Sequence, residues 1–87
     1  MTSNARSYTQ TSTTITSSSA EVVAASRDRK ALILFNTGST DIQIGIGTAA
    51  ITIAAGDHLA FTDGDCPIND LVAATASGTS TLVVWDA

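Results

Sequence analysis

Few residue types in this chain could do chemistry, and their spacing argues against most of it. His58 is the single histidine. A Ser-His-Asp or Cys-His set would need it beside a nucleophile, with a third group to orient it. No Gly-X-Ser-X-Gly elbow is present to present such a serine. His58 is therefore expected to be structural, at the start of a strand. Cys66 is the single cysteine, so it has no disulfide partner within the chain. It precedes Pro67 and follows Asp63 and Asp65, whose charges disfavour a thiolate. A small, partly buried side chain is the expectation. Asp63, Asp65, Asn69 and Asp70 are the one plausible set of oxygen ligands for a hard cation. In Asp-Gly-Asp-Cys-Pro-Ile-Asn-Asp, however, glycine takes the second place and no glutamate closes the loop, so a solvated turn is expected. Gly45-Ile46-Gly47 lacks the following lysine and helix that a phosphate loop requires. Its glycines fit a bulge or a close backbone approach. The expectation is a protein with no catalytic residues, no cofactor and no metal, and not an enzyme.

The elements that would position these residues are β-strands. Ser and Thr supply 24 of the 87 residues, while charged residues make up 14%. A monomeric surface usually carries about 25–35% charge, so much of the polar surface must be hydroxyl. Thr, Val and Ile favour strands, and helix-forming runs are nearly absent. The fold class expected is all-β. A chain of this length has a thin core, and small domains are usually supported by disulfides, a metal or oligomerisation. With one cysteine and one histidine, oligomerisation is the expected support.

The net charge is −4, which disfavours non-specific binding to nucleic acid. All four basic residues (Arg6, Arg27, Arg29 and Lys30) precede residue 31, whereas six of the eight acids follow it. No apolar leader is visible at the start of the sequence, and its longest charge-free apolar stretch, 42–56, is too short for a membrane helix. A lone thiol and no leader point to production in a reducing cytoplasm. No nucleic-acid or membrane partner is expected.

Taken in order, residues 1–20 read as a Ser/Thr-rich N-terminal arm, with Tyr8 and Ile15 as its sizeable apolar side chains after Met1. The arm is expected to lie extended on a neighbour or on its own sheet. Residues 21–87 read as a β-sandwich domain. Glu21–Ala25 is a short strand, followed by the charged connection 26–30. Ala31–Phe35 is a continuous apolar run, which suits a strand buried on both faces. The turn formers Asn36–Asp41 separate it from Ile42, Ile44 and Ile46 at period two, and the pair is expected to form an antiparallel hairpin. Residues 48–50 read as a loop and Ile51–Ile53 as a brief strand. His58–Thr62 is a strand with Leu59 and Phe61 inward. Ile68–Thr75 and Thr81–Trp85 complete eight strands, a pattern that suits a sandwich or jelly-roll-like fold. Trp85 is expected either to close the core or to anchor an interface.

Several of these stretches resemble small structural proteins of tailed bacteriophages. The resemblance rests on Arg29–Gly38, Asp41–Gly47, the turn Ile53-Ala54-Ala55-Gly56 and the final strand Thr81–Trp85, and it covers about residues 20–86. It implies a virion component, assembled in the host cytoplasm, with a β-sandwich or jelly-roll fold. A head decoration (cement) protein, a head-fibre base and a tail component are the positions it allows. The expectation is a capsid cement protein, a homotrimer that binds a major capsid protein and stabilises the shell. Tyr8, Ile15, Arg27, Arg29, Lys30 and Trp85 are its expected contact residues. The alternative is a tail or fibre module that recognises a host surface glycan.

Overall fold

In a computed structural model, which describes residues 8–61 and 66–87, the described residues form eight strands and no helix. They are β1 (Thr9–Ile15), β2 (Ala20–Val23), β3 (Leu32–Asn36), β4 (Ile42–Ile46), β5 (Ala49–Ile53), β6 (His58–Phe61), β7 (Leu71–Thr75) and β8 (Ser80–Asp86). Two four-stranded sheets run in the orders β1-β8-β3-β6 and β2-β7-β4-β5, with every pairing antiparallel. Thus β1 lies beside β8, β2 beside β7, β3 beside β6 and β4 beside β5. This is a long hairpin rolled over on itself, the eight-stranded jelly roll. The roll turns at Gly47-Thr48, between β4 and β5. Gly47 has φ +60° there, a conformation that glycine adopts without steric cost in a two-residue hairpin turn.

The core lies between the sheets. Leu32, Leu34, Ile42, Ile44, Leu71 and Leu82 are fully buried, joined by Ile15, Val23, Ile53, Ala73 and Val84. Each large side chain removed from water contributes about 1.5–3 kcal/mol. Leu59 and Phe61 pack half-buried against this cluster, as their alternation predicts. The all-β sandwich expected from composition and periodicity is the fold observed.

Two expectations about its parts need correction, and the N-terminal arm takes one of its two expected places. Ala31–Phe35 and Ile42–Ile46 do not form a hairpin. β3 is an inner strand of the first sheet and β4 an inner strand of the second, so Asn36–Asp41 crosses from one sheet to the other. Asn36 fixes that crossing. Its buried Nδ2 donates to the carbonyls of Thr40 (2.8 Å) and Ile53 (2.9 Å), and its Oδ1 accepts from Gly38 N (3.2 Å) and Ser80 Oγ (2.7 Å). Every hydrogen-bonding site of the amide is used, which offsets its burial. The path is so close that a Cβ on Gly38 would stand 2.0 Å from Ser80 Oγ.

The residues read as an arm are not separate from the sandwich. β1 pairs with β8 over seven residues, and Ile15 enters the core at 2% exposure. Of the two placements expected for the arm, its own sheet is the one observed. Residues 49–50, read as a loop, begin β5 opposite Gly45 and Ile46.

Candidate functional site

The candidate residues divide between a buried clasp and an exposed aromatic face. The clasp is Arg29, which is 5% exposed. Its Nη1 donates to the carbonyls of Pro67 (2.7 Å) and Asn69 (3.0 Å), and its Nη2 donates to the carbonyl of Ala24. Its Nε faces the Asp86 carboxylate at 3.5 Å in an ion pair. One guanidinium thus ties the chain after β2, the approach to β7 and the end of β8. The planar fork of arginine suits such a convergence of carbonyl and carboxylate oxygens. Arg29 is spent inside the fold, which corrects its reading as a contact for a partner. Ile15 is corrected in the same way, being a core residue. Arg27 and Lys30 flank the clasp and are exposed. Lys30 N and Ala31 N both donate to the Ala87 carbonyl, and Ala87 N donates to the Ala31 carbonyl, so the basic stretch is held beside the end of β8.

His58 and Cys66 assemble no catalytic set among the described residues. His58 is exposed, 3.8 Å from the Asp57 carboxylate and stacked on Phe35 with ring centroids 5.9 Å apart. Cys66 is half-buried against the core, with Sγ 3.8 Å from the Pro67 carbonyl. Asp63 and Asp65 of the proposed oxygen cluster lie outside the described residues. Asn69 and Asp70 are exposed, and the Asn69 carbonyl serves Arg29. Gly45 is a place of close approach, as expected: a Cβ there would stand 2.8 Å from Val72 Cγ2.

The aromatic face is the outer side of the first sheet. Register places two rows of side chains across its four strands: Gln10, Trp85, Ile33 and Ala60 in one, and Ser12, Val83, Phe35 and His58 in the other. Trp85 packs edge-on against Phe35 at 5.2 Å, and Tyr8 tilts against Trp85 at 5.8 Å. With His58 stacked on Phe35, four rings form one chain across the full width of the sheet. Trp85 Nε1 donates to Gln10 Oε1 at 2.9 Å, which fixes the indole in place. Tyr8 and Trp85 remain 40% and 37% exposed, and Ile33, Phe35 and Val83 are half-buried. Neither row contains Asp, Glu, Lys or Arg.

Antiparallel sheets with one solvated face normally alternate apolar and polar residues. β3 and β8 do not: Ile33, Phe35, Val83 and Trp85 make their outer sides apolar as well. The continuous apolar run at 31–35 and the run Leu-Val-Val-Trp at 82–85 are the sequence signals of this face. The first was read as a strand buried on both sides, and its outer side has no cover among the described residues. Of the expected contact residues, Tyr8 and Trp85 therefore lie together on one exposed surface. Phe35, Val83 and Ile33 belong to that surface and were not among them, because half-buried apolar residues in strands read as core.

The outer side of the second sheet is different. Gly45, Ala50, Val72 and Ala74, with Gln43 and Ser19, line a shallow open hollow of about 240 Å³. No family model matches the chain, and no curated protein and no solved structure matches it.

Proposed function

We propose that this protein is a non-enzymatic structural component of a multi-copy assembly, most specifically a decoration protein that binds a virion's coat-protein shell and stabilises it. The observation that carries the proposal is the outer face of the first sheet. Its two inner strands turn Ile33, Phe35, Val83 and Trp85 outward, Tyr8 and His58 continue the rings toward its edges, and neither row holds Asp, Glu, Lys or Arg. Contiguous exposed patches of this kind mark interaction surfaces, and Trp and Tyr are enriched among the residues that carry binding energy. Jelly rolls serve in viral capsids, a fold-level analogy that agrees with the resemblance to bacteriophage structural proteins. A protein that binds the assembled shell and not its dissociated subunits stabilises the shell by mass action. Exposed Arg27 and Lys30 stand beside the clasp, where they are available to acidic groups of a coat protein.

The test is co-sedimentation. Purified chain is added to shells assembled from the coat protein of the same genome. Pelleting that saturates at a fixed number of copies per shell, with a raised melting temperature of the shell, is the expected result. Chain that stays in the supernatant at all ratios sinks the proposal. The second reading, a module that recognises a surface glycan, is favoured by one observation: the row of rings with the Gln10 amide beside Trp85, since jelly rolls also serve as lectins. A glycan array probed with the intact protein distinguishes the two, and binding to a defined sugar that Trp85→Ser abolishes would favour the second.

A further inference from the structure

We propose that the free edge of β5 docks an extended peptide segment, which adds a fifth strand to the second sheet and sends one large apolar side chain into the hollow beside it. The site is separate from the aromatic face, and the proposal stands whether or not the chain binds a shell. Three observations carry it.

The first is the backbone. β5 pairs with β4 on one side, and among the described residues nothing pairs with its other side. The two-residue turn Gly47-Thr48 is closed by Ile46 and Ala49, a pair that exchanges both hydrogen bonds, and such pairs alternate with open ones along an antiparallel ladder. Ala49, Ile51 and Ile53 therefore turn their N–H and C=O groups to β4, and Ala50 and Thr52 turn theirs to the free edge. Donors and acceptors at strand spacing are a template for another strand. An extended peptide presents the matching groups at that spacing, and a sugar does not.

The second is the lack of any device that closes the edge. Charge, proline and bulges normally discourage strand addition. β2 carries Glu21 and a register shift between Glu21 and Val23, and β6 starts beside Asp57. Residues 42–56, which include β5, hold no charged residue and no proline. β1 is as free of charge but borders no hollow. The far end of β5 is also tied down: Ala55 N donates to Asp41 Oδ1 at 3.0 Å, and Gly56 N to the Asn36 carbonyl at 2.9 Å. An edge already held in place loses little freedom on binding.

The third is the hollow. Ala50 ends the row Glu21-Val72-Gly45-Ala50, so the residue opposite it in an added strand extends that row on the same outer face. Strands lie about 4.8 Å apart. A long side chain at that place passes over the Ala50 methyl to Gly45, which has no side chain to block it, with Val72 and Ala74 as the far wall. The next residue of the added strand lies opposite Ile51, which is half-buried, and covers it on the inner side. The fitting segment is uncharged, with a large apolar residue opposite Ala50 and a smaller apolar one opposite Ile51. A second copy does not supply it. Two β5 strands paired antiparallel about Ile51 place Thr52 opposite Ala50, and threonine is too short to reach the hollow.

The probe is the blocked hexapeptide Thr-Thr-Val-Phe-Thr-Thr. In antiparallel pairing it sets phenylalanine opposite Ala50 and valine opposite Ile51. It is titrated into the isotopically labelled full chain, and the backbone amide signals are followed. Saturable downfield shifts of the Ala50 and Thr52 amides, with slower hydrogen exchange there and a shift at Gly45, are expected. Replacing the phenylalanine by alanine should weaken binding by roughly tenfold or more. Methylating the phenylalanine amide nitrogen removes a bond to the edge and should abolish binding. Methylating the valine nitrogen, which points away from β5, should leave it in place. Thr52→Pro removes one free donor and no bond to β4, and it should also abolish binding, with a thermal melt as the check on folding. The proposal is overturned if Ala50 and Thr52 stay unshifted up to the peptide's solubility, or if both methylations act alike. It is also overturned if these amides shift with protein concentration in the absence of peptide, which would place a second copy at the edge.

Discussion

The outer faces of the two sheets are laid out on equivalent registers and filled with opposite residues. Across the first sheet run Gln10-Trp85-Ile33-Ala60 and Ser12-Val83-Phe35-His58. Across the second run Glu21-Val72-Gly45-Ala50 and, over three strands, Ala74-Gln43-Thr52. Both sheets cover the same core, so core packing does not explain the difference. The second sheet wears small and polar side chains, as a solvated antiparallel face should. The first wears large rings that remain partly in contact with water. Leaving apolar surface in water costs about 25 cal/mol per Å², so the first face is costly for an isolated domain and useful for one that is covered.

The largest way to break this comparison is to uncouple the sheets. Arg29 joins the chain that follows β2 and precedes β7, in the second sheet, to Asp86 in the first. Arg29→Ala should lower stability by about 2–3 kcal/mol, chiefly because three carbonyls lose their donor, the Asp86 carboxylate being partly solvated. Denaturant unfolding followed by Trp85 fluorescence checks this. A loss under 1 kcal/mol would mean the clasp does not hold the sheets together. The second way is to fill the small face. Gly45→Val drives a branched side chain into Val72 and should cost about 1–3 kcal/mol, and Val72→Ala in the same protein should recover part of it. Thermal melts of the single and double variants measure the coupling. The smallest effect sharpens the contrast at the aromatic face. Gln10→Ala removes the hydrogen bond to Trp85 Nε1 and should cost about 0.5–1.5 kcal/mol, with a red-shifted Trp85 emission as the ring loosens. An unchanged emission would show that Tyr8 and Phe35 hold the indole without the amide.

Much of this contrast was legible in the sequence, and the pairing of strands was not. Period-two alternation marks Ile42–Ile46 as a strand with one apolar face, and the apolar run at 31–35 marks a strand with two. Alternation identifies which side chains share a face; it carries no record of which strand lies alongside. Asn36-Thr37-Gly38 is as good a signal for a crossing between sheets as for a hairpin, and the choice is made by Ser80 and Ile53, far along the chain. Arg29 was misread for a related reason. A guanidinium in a charged connection reads as solvated, and its burial depends on carbonyls at 24, 67 and 69 that no local pattern announces. Tyr8 was legible as an exposed aromatic because a Ser/Thr-rich stretch has little core of its own, whereas Trp85 could be read equally as closing the core or standing at the surface. Their meeting on one surface follows only from the pairing of β1 with β8.

The position of β8 has a consequence for how the molecule comes into being. β8 lies at the centre of the first sheet, between β1 and β3, yet it leaves the ribosome after the other seven strands. Until then β1 has no neighbour at all in its sheet, and β3, apolar on both sides, has β6 on one edge and nothing on the other. The tight turn at Gly47-Thr48 allows β4 and β5 to pair early, because hairpins close in microseconds, whereas the distant pairings must await loop closure. The second half of the roll therefore organises from its middle outward, and the sheet that carries the rings is completed last. During that interval the nascent chain displays Ile33 and Phe35 beside an open strand edge, the combination most prone to adhere to neighbouring nascent chains.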